Sequence, residues 1–256
     1  MKRLIGILWV VTMVIAFSGC SNEQTTTPFG NGGIDLSKGL GAIQTASNGS
    51  NLVAVAFRRN ASDGQPYDTD QQWLYCFNSG GSPAAPAAVT VNSNSLITTV
   101  GTQAGNTLLT WNGANHIWSV TGAGSIPSYS DTIASLNRFS ITEPDTKADT
   151  IFRTSGVTVT WDSPGSVDSV GIVLEYNTSL SRLFDTTAPD TTWRLGVATA
   201  NSGSYTFSSS QLTSMPTKGF VEITVVGVKS KTKTVSGVSC RVYSVSASKT
   251  MCPCRN

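Results

Sequence analysis

The chain has 256 residues, of which 39% are hydrophobic and only 12% are charged, and its formal net charge is +2. Lys2 and Arg3 alone account for that excess, so the rest of the chain has no basic cluster that could neutralise phosphates, which argues against a nucleic-acid partner. The length is sufficient for two domains that each bury a hydrophobic core.

Residues 1–19 have the pattern of an export signal. Lys2 and Arg3 precede a largely apolar stretch over residues 4–17, and small residues follow it. The stretch is shorter than the roughly 20 residues that a bilayer-spanning helix requires. We therefore predict a signal peptide rather than a membrane span.

The end of this segment, Phe17-Ser18-Gly19-Cys20, resembles the lipobox of bacterial lipoproteins, although Phe17 stands where Leu is usual. The resemblance implies that the signal is cleaved before Cys20 and that Cys20 carries lipid, including palmitate, which anchors the protein in a membrane. Ser21 is not the Asp that marks inner-membrane retention, so the outer membrane is favoured, either its periplasmic face or the cell surface. The alternative is an ordinary secretory signal followed by a fortuitous cysteine.

Residues 20–38 are polar and rich in Gly, which predicts a flexible tether. Over residues 39–136, short apolar runs separated by turn residues predict an N-terminal β-rich domain. Within it, Asn112-Gly113 lies between two alternating runs and predicts a hairpin turn. Such a hairpin would place Trp111 and Trp118 on neighbouring strands.

A second series of apolar runs predicts a domain over residues 137–250, followed by a Cys-containing tail at 251–256. Residues 157–176, VTVTWDSPGSVDSVGIVLEY, resemble the B and C strands of a fibronectin type III or immunoglobulin-like sandwich, with Trp161 in the core. Residues 212–226 resemble the E-to-F corner of that fold, but Phe220 replaces the usual tyrosine.

The predicted fold class is therefore all-β, with two β-sandwich-like domains, the second of them fibronectin type III/Ig-like. Such modules serve as spacers, adhesion units and enzyme appendages alike, so the resemblance implies little about function.

Four cysteines remain when Cys20 is set aside, namely Cys76, Cys240, Cys252 and Cys254. In an oxidising compartment they could form two disulfides with three connectivities. A Cys252–Cys254 bridge would close a very small ring, so our preferred pairing joins Cys240 to a tail cysteine, Cys254. No second cysteine pair stands at zinc-ligand spacing, so we predict no metal.

Catalytic patterns are weak. His116, the single histidine, is expected at the rim of the predicted hairpin, and no nucleophile elbow accompanies it. Carboxylate pairs for glycoside hydrolysis could come from Asp162, Asp168 and Glu175, or from the acidic loop at 63–70, but these positions are typical of solvated loops. The 63–70 loop also lacks the spacing of a calcium loop. We predict neither an enzyme nor a cofactor.

Trp73, Tyr75 and Phe77 alternate along one predicted strand and so share a face. If exposed, they would form a stacking platform for a ligand, and if buried, they are core. Leu74 and Cys76 make the opposite face apolar too, which favours a central strand buried on both sides.

The function predicted is a non-enzymatic binding or structural protein of the cell envelope, with a protein or cell-wall glycan as partner. A carbohydrate-binding accessory lipoprotein is the first alternative. A glycoside hydrolase is the second.

Overall fold

The structure is a computed structural model that describes residues 51–59, 69–78, 82–99, 102–144 and 149–256. The signal segment, Cys20, the predicted tether at 20–38, and Asp63 and Asp68 of the acidic loop lie outside these residues. Within the described ranges the regular secondary structure is almost entirely β-strand, with one short helix, which confirms the all-β prediction.

The first half of the described chain contributes eight strands: β1 (Asn51–Arg59), β2 (Thr69–Phe77), β3 (Ala88–Val91), β4 (Asn94–Ser95), β5 (Ile97–Thr99), β6 (Thr102–Gly105), β7 (Asn115–Thr121) and β8 (Tyr129–Ala134). The second half contributes eight strands and a short helix: β9 (Ile141–Glu143), β10 (Ile151–Phe152), β11 (Val157–Trp161), β12 (Ser169–Tyr176), α1 (Thr178–Phe184), β13 (Arg194–Thr199), β14 (Ser204–Phe207), β15 (Lys218–Val235) and β16 (Val238–Arg255).

One nine-stranded sheet runs through both halves in the order β13-β12-β15-β16-β1-β2-β6-β5, with β10 beside the end of β16. Its centre is the β15–β16 hairpin, whose strands are 18 residues each and paired in register from Lys218↔Arg255 to Val235↔Val238. The predicted tail at 251–256 is therefore wrong, because β16 continues to Arg255. Alternation along Met251–Arg255 places the cysteines in the core, which keeps this segment in the sheet.

The second sandwich packs the sheet β9-β11-β14 against β13, β12 and the first part of the β15–β16 hairpin. Lettered in chain order from β9, leaving out β10, these strands form the sheets A-B-E and C′-C-F-G, the arrangement of a fibronectin type III/Ig-like sandwich. Trp161, at the end of β11, is only 4% exposed and lies in this core, as predicted.

The E-to-F corner is closed by a different residue from the one its sequence suggests. Phe220 points to the outer side of the sheet and contacts Phe184 of α1, with ring centroids 5.5 Å apart. The hydroxyl of Tyr176 donates instead to the Lys218 carbonyl oxygen at 3.1 Å. A tyrosine thus fixes the start of β15, but from the end of β12.

The first sandwich packs the sheet β4-β3-β7-β8 against β1, β2 and the far part of the same hairpin. Val238, Cys240 and Val242 of β16 are buried in this first core, although the predicted boundary at residue 137 assigns them to the second domain. That boundary is correct for the smaller sheets alone, because the chain passes from one of them to the other between β8 and β9. The large sheet has no boundary, because β15 and β16 are long enough to serve both cores.

The segment 135–140, which we call the linker, joins the two smaller sheets and crosses the inner face of β16. There the Leu136 N–H donates to Ser244 Oγ at 3.1 Å, and directly after the linker, at the start of β9, the Ile141 N–H donates to Ser248 Oγ at 3.0 Å. Small hydroxyl side chains leave room for a backbone and satisfy its donors. This is why β16 changes from apolar to Ser-rich between the two cores.

A third apolar cluster lies on the opposite side of the large sheet, at its centre. It includes Val53, Val226, Tyr243 and Val245, and Tyr75 packs against it. The strands at the middle of the sheet are therefore buried on both faces.

Candidate functional site

The three alternating aromatics belong to the body of the large sheet. Their strand, β2, lies between β1 and β6. Trp73 is 5% exposed, and Phe57 lies beside it with ring centroids 6.1 Å apart. Burial raises the pKa of Tyr75 to about 12, and Phe77 is half-buried. Trp73 thus offers no open ring face to a sugar, while Tyr75, like Phe77, is only partly covered.

The preferred disulfide is contradicted by the strand that carries it. Cys240 and Cys254 are free and lie on the same strand, β16, fourteen residues apart in sequence. At about 3.3 Å per residue they are separated by roughly 46 Å, far beyond the 7 Å limit for bridged Cα atoms. Cys240 lies in the first core and Cys254 in the second.

Cys76 and Cys240 come nearest to forming a different pair. Both stand opposite Leu52 in the register, on the two strands that flank β1. Two strand spacings put their Cα atoms about 10 Å apart, which is also too far for a bond. Burial raises the pKa of Cys76 to about 12 and that of Cys240 to about 11, so both remain protonated and unreactive at neutral pH.

Asp168 and Glu175, two of the candidate carboxylates of the second sandwich, do not form a pair. Asp168 accepts bonds from the Ser230 N–H at 2.8 Å and from its hydroxyl at 2.7 Å, just before β12 begins. Glu175 is exposed near the other end of β12. Seven residues of strand separate their Cα atoms by about 23 Å, well beyond the 5 to 9.5 Å range of glycosidase carboxylates.

The strongest concentration of polar chemistry in the described chain is buried at the end of the first core. The antiparallel register of β1 and β2 places Arg58 opposite Asp70, and their side chains form an ion pair at 2.7 Å. The other Asp70 oxygen accepts bonds from the Leu109 N–H at 2.8 Å and from the Trp111 indole N–H at 3.1 Å. Asp70 therefore stabilises a structure and is not available to a substrate or ion.

His116 is the second member of this buried polar cluster. It is 0% exposed, so its predicted place at a rim is wrong. Its Nε2–H donates to the Thr110 carbonyl oxygen at 3.0 Å. Its ring packs edge-to-face with Trp111, with ring centroids 4.8 Å apart. Within the structure Nδ1 has no hydrogen-bond partner, and burial lowers the pKa of the imidazole. A neutral ring enclosed in this way cannot act as a general base on a bound substrate.

These polar contacts also explain why the predicted hairpin around Asn112-Gly113 is absent. Residues 106–111 form no strand, and β7 pairs with β3 and β8 instead. Gln72 bonds both the N–H and the carbonyl oxygen of Thr107, while Asp70 accepts from Leu109. Side chains from β2 thus replace a partner strand. The feature of the sequence that indicates this arrangement is the presence of a carboxylate and an amide, Asp70 and Gln72, at alternate positions of a largely apolar strand.

In the described ranges, no group of three His, Cys, Asp or Glu side chains is placed to hold a metal ion. Nor does any helix in those ranges have the length and apolar character needed to cross a membrane.

No family model and no curated protein matches the sequence. Among solved structures, the chain has 8% identity to the Clostridium thermocellum CbhA fibronectin(III)-like modules, with a TM-score of 0.24 over 78% of this chain and 92% of that one. Chicken CNTN1 FN1-FN3 domains give 13% identity and a TM-score of 0.21 over 68% and 61%. TM-scores this low do not establish a shared fold. The second sandwich is therefore described as fibronectin type III/Ig-like on its strand order alone.

Proposed function

We propose that this chain is a lipid-anchored protein of the bacterial envelope that acts as a non-enzymatic structural or binding module. The observation that supports this most is the β15–β16 hairpin, which both sandwiches share. Enzymes with two domains commonly bind substrate in a cleft between them. Here one continuous sheet joins the two halves, and they are not free to close on each other.

The filling of the space between the two smaller sheets also supports a structural role. Where a cleft would lie, the linker fills the space, and its Asn137 N–H donates to the Pro164 carbonyl oxygen at 2.7 Å. The buried Arg58–Asp70 pair lies close by, since Arg58 stands beside Ser246 in the register with β16. A rigid body of this kind suits a module that holds a binding surface away from a membrane.

Anchoring through Cys20 is tested by labelling growing cells with an alkyne analogue of palmitate. We expect the full chain to take up label and to sediment with membranes. Cys20→Ser should lose the label and appear in the soluble fraction, while the matched Ser21→Ala variant should behave as wild type. An unlabelled, soluble wild-type protein would contradict the proposal.

Carbohydrate binding is the alternative that the burial of Trp73 disfavours. If β2 bound a sugar, Trp73→Phe would weaken retention on an insoluble polysaccharide without changing stability. We expect the reverse, because Trp73 is packed against Phe57 in the sheet. The midpoint of urea unfolding should fall, and wild type and variant should bind cell-wall glycans equally.

A further inference from the structure

The last strand at one end of the nine-stranded sheet, β13, has an open edge. Among the described strands it pairs only with β12, and the Tyr176 N–H donates to the Trp193 carbonyl oxygen, which fixes the alternation of hydrogen bonds along the pair. By that alternation Leu195, Val197 and Thr199 bond to β12. The N–H and C=O groups of Gly196 and Ala198 point away from the sheet, and no described group bonds to them.

Several other open edges in the described chain are protected. The far part of β15 carries Lys229, Lys231 and Lys233 at alternate positions, and Lys231 pairs with Asp131 of β8. Lysines at an edge, very short strands and bulges all discourage further pairing. β5 has three residues, and β9 has three with an irregular register.

β13 has none of these features. Its six residues, Arg194–Thr199, contain neither lysine nor proline, and their pairing with β12 is regular throughout. An unprotected edge of this length is a template for another strand.

The inner side of β13 is also incompletely covered. Leu195 and Val197 pack against the second core but are only half-buried, as is Tyr205 on β14 in the facing sheet. In constant-type immunoglobulin domains a fourth strand, D, lies beyond E, whereas the sheet β9-β11-β14 stops at E. A strand added beside β13 would cover part of this open side.

We infer that β13 is an interface at which two copies of this chain pair, antiparallel and two-fold symmetric, to join their large sheets. β13 itself meets the requirements of the added strand, because it presents apolar residues inward at alternate positions. In one register Val197 lies on the symmetry axis, and Gly196 bonds Ala198 of the other copy, forming four new backbone hydrogen bonds.

Charge supports the antiparallel arrangement. Arg194 is the only charged residue of the strand, and this register places the two Arg194 side chains about 20 Å apart, whereas parallel pairing would bring them together. Two six-residue edges bury less than the roughly 1,000 Å² of a stable interface. The association is therefore weak, and a cross-link is the suitable way to detect it.

The test uses the full chain in membranes, oxidised with copper phenanthroline and separated without reductant. Val197→Cys places two thiols opposite each other in a non-hydrogen-bonded pair, where Cα atoms approach to about 4.5 Å. We expect a band at twice the monomer mass. Leu195→Cys is the matched control, because its two copies lie about 13 Å apart in this register and should give no more dimer than wild type.

A second variant tests the backbone contacts themselves. The Ala198 N–H faces away from β12, so Ala198→Pro removes a donor to the second copy without removing one within the sheet. Added to Val197→Cys, it should abolish the dimer while circular dichroism still reports a folded chain. Absence of the Val197→Cys dimer, equal cross-linking at position 195, or a dimer that survives Ala198→Pro would each overturn the inference.

Discussion

The two sandwiches share one sheet, yet their interiors are held by different forces. The second core is made of apolar side chains such as Val159, Phe207 and Ile223, with strands on both sides. The first core contains the charged and imidazole groups that are buried in the described chain, Arg58, Asp70 and His116. The difference shows that a core closed by a loop instead of a strand needs buried side chains to satisfy the backbone of that loop.

The largest losses of stability should come from truncating one large side chain in each core. Trp118→Ala in the first and Phe207→Ala in the second should each lower the free energy of unfolding by about 3 to 5 kcal/mol, because both side chains are fully buried. Since β15 and β16 belong to both cores, either variant should shift a single calorimetric transition. Two separate transitions, with each variant moving only one, would show that the sandwiches unfold independently.

The polar support of the first core is tested by Asp70→Asn, which keeps the shape but removes the charge that faces Arg58. We expect a loss of about 3 kcal/mol, measured by urea unfolding, because bonds to a buried charge are stronger than neutral ones. Asp168→Asn is the control, as its carboxylate bonds an exposed serine. Its effect should be smaller than about 1 kcal/mol, and equal losses would refute the distinction.

The bond between the start of β9 and Ser248 of β16, next to the linker, should contribute less. Ser248→Ala leaves the buried Ile141 N–H without its acceptor, and we expect a cost of about 1 to 2 kcal/mol. Ser230→Ala, on an exposed part of β15, is the comparison and should cost less. Hydrogen exchange at the Ile141 amide, measured by NMR, should become faster only in the first variant.

The smallest effect is a dependence on pH that belongs to the first sandwich. Burial lowers the pKa of His116 in the folded state. Below pH about 6.5 the unfolded chain therefore binds a proton that the folded chain excludes, and the stability present above that pH is progressively lost as the pH falls. In His116→Gln this part of the pH profile, followed by urea midpoints between pH 5 and 8, should be flatter. An unchanged profile would contradict the assignment.

Much of the second sandwich could be predicted from its sequence, because Trp161 and the alternating apolar residues of 157–176 report a local pattern of burial. The shared hairpin could not. Alternation predicts that a residue faces a core but not which core, so Cys240 and Cys254 looked like neighbours near the chain end.

The same limit applies to the buried polar cluster. Its members come from three separate segments, and Asp70 stands beside other acids in sequence while its partner Arg58 lies on another strand. His116 follows an Asn-Gly pair that usually marks a surface turn. Side chains that take the place of a strand produce no periodic pattern in the sequence. The structural roles of Asp70 and His116 could therefore not be predicted from it.

The parallel pairing of β1 with β16 has a mechanical consequence. Their register runs from Asn51↔Ser239 to Arg59↔Ala247, and β16 continues to Arg255. A pull that holds the chain at Asn51 and draws on its far end at Arg255 would drag these two strands past each other lengthwise. The backbone hydrogen bonds between them would then be loaded together, in shear geometry, and would not break one after another as in unzipping.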